Sequence, residues 1–364
     1  MTGHRCYPGL QALITIDGGA KSGSGTIVRY SAALAALLGE ALHLTNIRAR
    51  RDKPGLRPQH LQCLRALVDA CGGRLEGAGV GSSEVTFSPG EEARYLAGPF
   101  AWDIGSAGSA TMLAMTLLHI GLFNGKGLDF VVTGGLFQDF APSALHMQRA
   151  LLPTLEKMGG HVELVMDRPG YVPRGAGIIR VKVKALTVPL SPLQLPVQGK
   201  ARNIEGVALS SHLRDQQVSH RMAEACSKVL HQAGYSSQIE IAYDDTALQA
   251  GAALAAFART DTGCILGSDR AGAPGRRSES IGRYVASNLL GDLAAGATVD
   301  RFLADQVIIF AALAEGKSEF VIPQITEHVD TNLWLVNKIL GAKSEISGAT
   351  VRVYGIGFKP RSRT

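Results

Sequence analysis

The sequence predicts an α+β protein that repeats a unit of one helix followed by strands. Segments with helical periodicity alternate with segments of strand-like, period-2 alternation, each helix ends at a glycine, and the unit recurs four times. Glycine just past a helix end favours the left-handed conformation that terminates it, and period-2 alternation is typical of half-buried strands. Any α/β chain can produce such units by chance, so that alternative stays open on the pattern alone.

The four units follow one another in order. The predicted helices cover residues 61–71, 143–158, 216–233 and 333–340. They stop at Gly72, Gly159, Gly234 and Gly341. The strands predicted after them cover 85–87, 161–165 and 177–183, 237–242, and 344–346 and 350–354. A further helix is predicted over 26–38, after a glycine-rich loop.

Two domains are expected, because 364 residues are many for one compact core. The third unit differs from the others: a polar, proline-bearing stretch (190–202) precedes it and a Gly/Arg/Ser loop (267–280) follows it. Such stretches are typical of linkers. The prediction is a large domain of residues 1–185 and 280–364, with a small α/β domain of residues 186–279 inserted.

Composition describes an ordinary folded protein, with 46% hydrophobic and 19% charged residues. The net charge of +6 permits a nucleic-acid partner without requiring one. Five cysteines show no zinc-ligand spacing, which indicates reduced thiols and a cytoplasmic location. Residues 1–8 lack an apolar signal core, and no apolar run reaches the roughly 18 residues of a membrane span. Neither secretion nor membrane insertion is expected.

A Gly/Ser loop and a basic strip flank the helix over 26–38. The loop, residues 17–25, is not a Walker A motif, because Ser24 stands where that motif has its lysine. Backbone N–H groups at such a helix start can bind phosphate, and the arginine forks of the strip, residues 48–60, suit the same ligand. The alternatives are a tight turn that needs glycine only for its backbone angles and a solvated surface loop.

Two further segments are candidates for chemistry. A second Gly/Ser loop, residues 103–111, opens another apolar helix. Near the C-terminus, Asp330, Thr331 or Asn332 is predicted to cap the helix over 333–340, which would place His328 just outside a helix N-terminus. A neutral histidine there could attack phosphorus, although a lone histidine is more often a capping or surface residue.

Together these segments resemble the RNA 3′-terminal phosphate cyclase family over nearly the whole chain, from residue 16 to about residue 354. The most specific match is Asn46-Ile47-Arg48-Ala49 through Lys53-Pro54-Gly55-Leu56-Arg57-Pro58-Gln59-His60. It is supported by Ile104-Gly105-Ser106-Ala107-Gly108-Ser109, by Ala304-Asp305-Gln306, and by His328 with Thr331-Asn332.

The resemblance implies a large domain of three βαβαββ modules with a small inserted domain, and an ATP-dependent ligase reaction in RNA processing. The histidine that matches the family nucleophile is His328. It would attack the α-phosphate of ATP, forming histidyl-AMP and releasing pyrophosphate. The adenylate would pass to the RNA 3′-phosphate, and the 2′-hydroxyl would then attack to give a 2′,3′-cyclic end and AMP.

The resemblance also implies roles for individual residues. Five consecutive residues match the nucleotide-contacting stretch: Phe302, Leu303, Ala304, Asp305 and Gln306. Asp305 would lie near the metal, expected to be Mg²⁺ or Mn²⁺. Four residues match polar positions of the phosphate pocket: Arg29, Arg48, Arg51 and Gln59. The partners implied are RNA 3′ ends and ATP, and proteins of this size and class often form homodimers.

The chain departs from the family pattern in three places. The family loop Glu-Gly-Gly-Gly-Gln, whose glutamate assists the metal, is matched by Ser22-Gly23-Ser24-Gly25-Thr26. Met115 stands where many members have a nucleotide-contacting glutamine, and residues 134–139 replace a Gly-Gly-Thr-Asp-Asn-Pro type segment. Two other hypotheses therefore stay open: a non-catalytic RNA-binding or ribosome-assembly factor of the same family, and an enolpyruvyl transferase.

Overall fold

The computed structural model describes residues 13–90 and 98–362, and within them the chain forms four four-stranded sheets covered by helices. Each sheet contains one parallel and two antiparallel strand pairs. The expected mixture of helices and strands is therefore confirmed as a mixed α/β fold. Residues 1–8 and Cys6, which entered the predictions above, lie outside the described residues.

The first sheet has the strand order β1-β2-β4-β3. Its elements along the chain are β1 (Leu13–Asp17), α1 (Gly25–Leu38), β2 (Ala41–Thr45), α2 (Pro58–Cys71), β3 (Arg74–Glu76) and β4 (Val85–Ser88). β1 and β2 are parallel, with Leu13 opposite Ala41. The right-handed crossover expected between parallel strands is the helix α1.

The second sheet has the order β5-β6-β8-β7. Its elements are β5 (Phe100–Asp103), α3 (Ala110–Phe123), β6 (Leu128–Gly134), α4 (Ala144–His146), a π-helical turn (Met147–Leu151), α5 (Leu152–Lys157), β7 (Val162–Arg168) and β8 (Gly177–Val183). The π turn ends two residues before Pro153, which has no backbone N–H to continue a regular helix.

The third sheet has the order β11-β10-β12-β13 and lies within the later part of the chain. The strand β9 (Gln194–Leu195), which belongs to another sheet, comes just before it in the chain. The elements of the third sheet and its helices are β10 (Ala201–Ser211), α6 (Val218–Gln232), β11 (Ser237–Tyr243), β12 (Gly251–Thr260), β13 (Ile265–Ala271) and α7 (Ser278–Ala294). Helices α6 and α7 pack against each other. The domain limits at 186 and 279 stay a prediction.

The fourth sheet has the order β15-β16-β14-β9. Its remaining elements are α8 (Leu303–Leu313), β14 (Glu315–Val321), α9 (Glu327–Leu340), β15 (Lys343–Ser347) and β16 (Thr350–Ile356). β9 pairs with β14 although about 120 residues separate them, with Leu195 opposite Phe320. The third sheet is therefore formed by chain that lies between two paired strands of the fourth.

The four glycines predicted to end helices all have positive φ, and that prediction is confirmed. Their φ angles are +65° at Gly72, +95° at Gly159, +85° at Gly234 and +69° at Gly341. A residue with a Cβ is strained in this region, so glycine ends the helix at low cost. Local sequence was sufficient to locate these ends.

The predicted start of the last helix is wrong. The helix α9 begins at Glu327, six residues before the predicted Leu333, and its N-cap is Thr326, not Asp330, Thr331 or Asn332. The Thr326 Oγ1 accepts a hydrogen bond of 3.1 Å from the Val329 N–H, which satisfies one of the free donors of the first turn. His328 consequently lies within the first turn of α9, rather than before it.

The interior is made mostly of helices. Nearly every residue of α1, α3 and α8 is buried. The helix α1 packs against α2, α3 and α9, and α8 packs against α9. Helices that are apolar all round belong in the centre of a large protein. This central position brings the starts of α1, α8 and α9, which come from distant parts of the chain, into one region.

A buried ion pair links α4 to the start of α8. His146 and Asp300 are both fully buried, and the His146 Nε2 lies 3.1 Å from each carboxylate oxygen of Asp300. Burial opposes both charges, yet the mutual attraction raises the pKa of His146 and lowers the pKa of Asp300. Asp300 also accepts hydrogen bonds from the backbone N–H groups of Gly267, Phe302 and Leu303.

Replacing His146 with phenylalanine is expected to lower the free energy of unfolding by about 3–5 kcal/mol near neutral pH, because Asp300 would keep a buried, unpaired charge. The raised pKa of His146 stabilises the protein fully below its ordinary value of 6.5, and this stabilisation is lost as pH rises through the folded pKa. The lowered pKa of Asp300 stabilises the folded protein fully above the ordinary value of 3.8, and this stabilisation is lost as pH falls through the folded pKa. Urea unfolding across this pH window measures the difference. A constant difference at every pH would contradict the ion pair.

The described cysteines are all buried and unpaired, as expected for reduced thiols: Cys63, Cys71, Cys226 and Cys264. Burial raises the pKa of Cys63 and Cys71 to about 11 and that of Cys226 to about 12. These thiols are therefore poor nucleophiles at neutral pH. Among the residues that the structure describes, no helix combines the length and the apolar character needed to cross a membrane.

Candidate active site

The first Gly/Ser loop connects β1 to α1 and packs against the first turn of α9. The Thr331 Oγ1 accepts a hydrogen bond from the Ser22 N–H (3.2 Å) and lies 2.9 Å from the Ser22 Oγ. The Ser22 Oγ in turn lies 3.0 Å from the Ser24 Oγ, and Ser24 is the N-cap of α1. At the surface, Lys21 forms a 3.1 Å ion pair with Asp330. The positive ends of α1 and α9 therefore lie side by side.

His328 lies where these two helix ends meet. Its Nδ1 is 3.4 Å from the Thr26 Oγ1 in the first turn of α1, and its side chain reaches solvent. The protein packed around the imidazole lowers the pKa of His328, and the positive charges of Arg29 and Arg51 lower it further against the opposing charge of Glu327. The ring is therefore neutral at neutral pH and has a lone pair available for attack.

Arg29 is a buried cation beneath this site. It lies in α1 and is 5% exposed, and its Nε is buried without a hydrogen-bond partner. Its charge acts on His328 and His60, whose pKa values it lowers, and on Asp305, whose pKa it also lowers. A buried guanidinium with an unused N–H is a donor that an anionic ligand could satisfy.

The basic strip supplies more positive charge on the same side. Arg48 has a positive φ of +55° and donates from its NH2 group to the Lys53 carbonyl at 3.2 Å. Burial lowers the pKa of Arg48, and the nearby charges of Arg51 and Arg57 lower it further. The Arg48 Nε is buried without a partner, while Arg51 is exposed. Guanidinium groups that repel one another favour a polyanion between them.

His60 is a second histidine of the site that the sequence analysis did not assign. It is 2% exposed, and its Nδ1 accepts a hydrogen bond from the Arg57 N–H at 3.3 Å. Burial lowers its pKa to about 3, and the charges of Arg29, Arg48 and Arg57 contribute in that order. His60 is therefore a neutral packing group. The cue in the sequence was its position at the third residue of a helix that begins with proline.

Glycine is required at position 25 because the His60 ring occupies the space of a side chain. An added Cβ at Gly25 would lie 2.6 Å from the His60 Cδ2 and closer still to its Nε2. Gly25 is the first residue of α1, one position before Thr26. The close contact joins the N-termini of α1 and α2.

Replacing Gly25 with alanine is expected to destabilise the protein by about 1–3 kcal/mol, because the buried His60 ring has no free space to enter. Urea unfolding measures this effect. The matched control is Gly291→Ala in α7, where the nearest atom to an added Cβ is 3.6 Å away. Equal stabilities for the two variants would contradict the close packing.

The predicted nucleotide-contacting stretch forms the first turn of α8. Leu303 and Ala304 are fully buried, and Phe302 packs edge-on against His146 with ring centroids 5.8 Å apart. Burial raises the pKa of Asp305 to about 7, although Arg29 opposes the rise. The Asn332 Nδ2 donates to the Asp305 carbonyl at 2.7 Å and ties this turn to α9. The structure thus brings Arg29, Arg51, Asp305 and His328 into one region.

Gln59 and the second Gly/Ser loop lie next to each other. The Gln59 Oε1 accepts a hydrogen bond of 3.2 Å from the Ser109 N–H, and Ser109 is the N-cap of α3. Gln59 therefore already has a structural contact at the N-terminal end of α2, where the basic strip joins the helix. Met115, one of the departures from the family pattern, is 3% exposed and belongs to the core.

The predicted metal site at Asp305 has few protein ligands. Among residues 13–90 and 98–362, no group of three or more His, Cys, Asp or Glu side chains could hold a metal ion. Burial raises the pKa of Asp305 to about 7, which disfavours the carboxylate form that a metal ion would need. The metal at Asp305 therefore stays a prediction. Magnesium that accompanies a nucleotide usually needs only one or two protein carboxylates.

Several buried polar atoms near the starts of α1, α8 and α9 have no partner in the part of the chain that the structure describes. Four buried polar atoms of this region lack a hydrogen-bond partner within the described structure: Arg29 Nε, Arg48 Nε, Gln306 Oε1 and Asn332 Oδ1. Buried polar atoms are almost always paired in native proteins, so unpaired ones mark a place for water or a ligand. Two donors and two acceptors near one helix junction suit a ligand that has both phosphate oxygens and N–H groups.

A family model described as RNA 3′-terminal phosphate cyclase matches residues 20–346. This chain belongs to the RNA 3′-terminal phosphate cyclase family. An RNA 3′-terminal phosphate cyclase of Pyrococcus furiosus is 35% identical over 354 residues, covering 96% of this chain and 98% of the relative. That of Thermococcus kodakarensis is 37% identical, covering 92% and 95%. The family resemblance inferred from the motifs is confirmed.

Another relative and one solved structure complete the comparison. The RNA 3′-terminal phosphate cyclase of Methanopyrus kandleri is 33% identical, covering 94% of this chain and 99% of the relative. The crystal structure of the enolpyruvyl transferase NikO from Streptomyces tendae matches with a TM-score of 0.25 and 15% identity, covering 94% of this chain and 51% of that chain. So low a score supports no conclusion about fold or chemistry. Membership of the cyclase family rests on the sequence relatives.

Proposed function

We propose that this protein uses ATP to convert an RNA 3′-terminal phosphate into a 2′,3′-cyclic phosphate, with His328 as the nucleophile. One observation carries the proposal: a solvent-accessible imidazole lies at the junction of two helix N-termini, where burial and the charges of Arg29 and Arg51 lower its pKa. This arrangement suits attack on an anionic phosphorus centre. The names of the relatives support the reaction class.

In the first step the His328 lone pair forms a bond to the α-phosphorus of ATP, and the bond to the bridging oxygen breaks. Its electron pair leaves with pyrophosphate, and AMP stays on the ring. The arginines Arg29, Arg48 and Arg51 and the N-termini of α1 and α9 would stabilise the charge that develops on the phosphate oxygens. The low pKa of His328 keeps the ring unprotonated for this attack.

In the second step an oxygen of the RNA 3′-phosphate attacks the adenylate phosphorus, and the bond to His328 breaks. In the third step the neighbouring 2′-hydroxyl attacks the activated 3′-phosphate, and AMP leaves. The basic strip, residues 48–60, would hold the RNA phosphates near the ring. Contacts of this kind position an RNA without reading its sequence.

We infer that the large domain consists of three βαβαββ modules and that the small domain is inserted in the third. The first, second and fourth sheets share one strand order, with a parallel pair followed by an antiparallel hairpin, which supports the inference. The predicted limits, residues 186–279, enclose the third sheet but also β9, which pairs with β14 of the fourth sheet, and they leave out most of α7, which packs against α6. Limited proteolysis should cut between the two domains before it cuts within either.

The proposal has three further parts. ATP is the co-substrate, and Mg²⁺ or Mn²⁺ binds with it through Asp305. The protein is a cytoplasmic homodimer. The contacts expected for the nucleotide are those of Phe302, Leu303, Ala304, Asp305 and Gln306. Since Leu303 and Ala304 are fully buried, they would contribute backbone and packing rather than exposed side chains. Gln306, with a buried and unpartnered Oε1, is the member of the stretch best suited to accept a hydrogen bond from the nucleotide.

The test is to incubate the protein with ATP labelled at the α-phosphate, with either divalent metal, and to locate the label by peptide mapping. Label on the peptide containing His328, which is chased into AMP when RNA with a 3′-phosphate is added, is the expected result. RNA binding that weakens steeply with salt, without any adduct, would instead support the non-catalytic RNA-binding alternative.

A further inference from the structure

The hydroxyl of Thr26 faces the ring of His328 across the junction of α1 and α9. Its Oγ1 is 3.4 Å from the His328 Nδ1. Within the described residues, Thr26 is the side chain that forms a hydrogen bond with the ring. Catalytic hydrogen bonds are often long before the substrate binds and shorten in the reacting complex. Within residues 13–90 and 98–362, no side chain forms a hydrogen bond with the other ring nitrogen, Nε2.

A buried chain of hydroxyl groups holds Thr26 at this distance. Ser24 caps α1 by accepting a hydrogen bond from the Thr26 N–H at 3.3 Å. The Ser24 Oγ contacts the Ser22 Oγ, which contacts the Thr331 Oγ1 one turn along α9 from His328. Thr331 also donates to the Glu327 carbonyl at 2.6 Å. Ser22, Ser24 and Thr331 are all at most 8% exposed, so the two helix starts are held together.

The partner of the ring is neutral, and this matters for its chemistry. A carboxylate next to a histidine stabilises the protonated ring and raises its pKa. A hydroxyl can fix the orientation and the tautomer without adding negative charge. This agrees with the lowered pKa of His328, to which Arg29 and Arg51 contribute.

We propose that Thr26 is a positioning residue for adenylation, whose Oγ1 accepts a hydrogen bond from Nδ1–H of His328 and thereby keeps the lone pair on Nε2. This inference rests on the proposed function. As the bond from Nε2 to the α-phosphorus forms and pyrophosphate leaves with its electron pair, positive charge develops on the ring. The proton stays on Nδ1, where the hydroxyl oxygen stabilises it. The interaction is stronger in the transition state than in the free enzyme, so it accelerates the step.

The test compares Thr26→Val, which keeps the shape but loses the hydroxyl, with Thr26→Ser, which keeps it. Single-turnover adenylation with α-labelled ATP is measured over a range of ATP concentrations. Thr26→Val should lower the maximal rate about 10-fold, as expected for one lost hydrogen bond, with the half-saturating ATP concentration unchanged within about twofold. Thr26→Ser should stay within about threefold of the wild-type rate. The matched control is Thr154→Val, a threonine that is 1% exposed in α5.

The outcomes separate this inference from the proposed function. Wild-type protein that forms no adduct would overturn the proposed function, and this inference with it. Wild type that forms the adduct while Thr26→Val does so at the same rate would overturn the role of Thr26 alone. A Thr26→Ser variant as slow as Thr26→Val, or a rise in the half-saturating ATP concentration without loss of maximal rate, would also overturn it.

Discussion

Replacing His328 with asparagine is expected to abolish the covalent adduct with AMP, lowering the rate of adenylation by more than about 10⁴-fold. Asparagine keeps a polar side chain of similar length but has no lone-pair nitrogen that can attack phosphorus. His328 reaches solvent and lies in the first turn of a helix, where asparagine is tolerated. The free energy of unfolding should therefore change by less than about 0.5 kcal/mol.

The measurement is labelling with α-labelled ATP, together with urea unfolding of the same preparation. The matched control is His161→Asn, because His161 is exposed and lies outside the junction of α1 and α9, with its Nδ1 3.7 Å from the Glu156 Oε1. The control should label like the wild type. Persistent labelling of the His328→Asn variant would show that another residue is the nucleophile.

Replacing Arg29 with glutamine is expected to lower the rate of adenylation about 10²–10³-fold, as observed when one buried donor to a developing anion is removed. The side chain is nearly buried, its Nε has no hydrogen-bond partner, and no ion pair to it is found within the described residues. Glutamine retains some packing but not the charge. The loss should appear in the maximal rate, because the charge acts where negative charge develops.

The same substitution should change the pH dependence of adenylation. Arg29 lowers the pKa of His328, so its removal raises that pKa. The attacking ring must be neutral, and the rate falls as pH drops through the pKa. The acid limb of the profile is therefore expected to move to higher pH. The control is Arg65→Gln, an exposed arginine of α2. A profile that does not move, with a rate within about twofold of wild type, would contradict the role of Arg29.

The helix ends show which features of the fold local sequence can predict. Each predicted stop at glycine has the expected positive φ, because a left-handed residue at a helix end is decided by the residue itself. The predicted start of α9 was wrong because several neighbouring residues could each cap the helix. Thr326, Asp330, Thr331 and Asn332 are all good N-caps within seven residues, and composition cannot choose between them. The choice is made in three dimensions, where Thr331 is occupied by its hydrogen bond with Ser22.

The candidate site shows which contacts the sequence motifs could not predict. The motifs located His328 and the arginines, because their residue types and neighbours are characteristic. They did not indicate that Thr26 faces the ring, that His60 packs under Gly25, or that His146 pairs with Asp300. Each of these contacts joins elements far apart in the chain. Nothing in the spacing of the residues specifies such a contact.

Residue types and their periodicity were sufficient for the mixed α/β class and most element positions. The resemblance of the motifs to a known family predicted the membership of the cyclase family, which is confirmed, and named His328 as the candidate nucleophile. These properties depend on local propensity and on side-chain chemistry, which each residue has wherever it lies. The neutral state of His328, the raised pKa of Asp305 and the pairing of β9 with β14 depend on distant groups and on burial. Electrostatic energies change with distance and with the exclusion of water, and only the folded chain sets either.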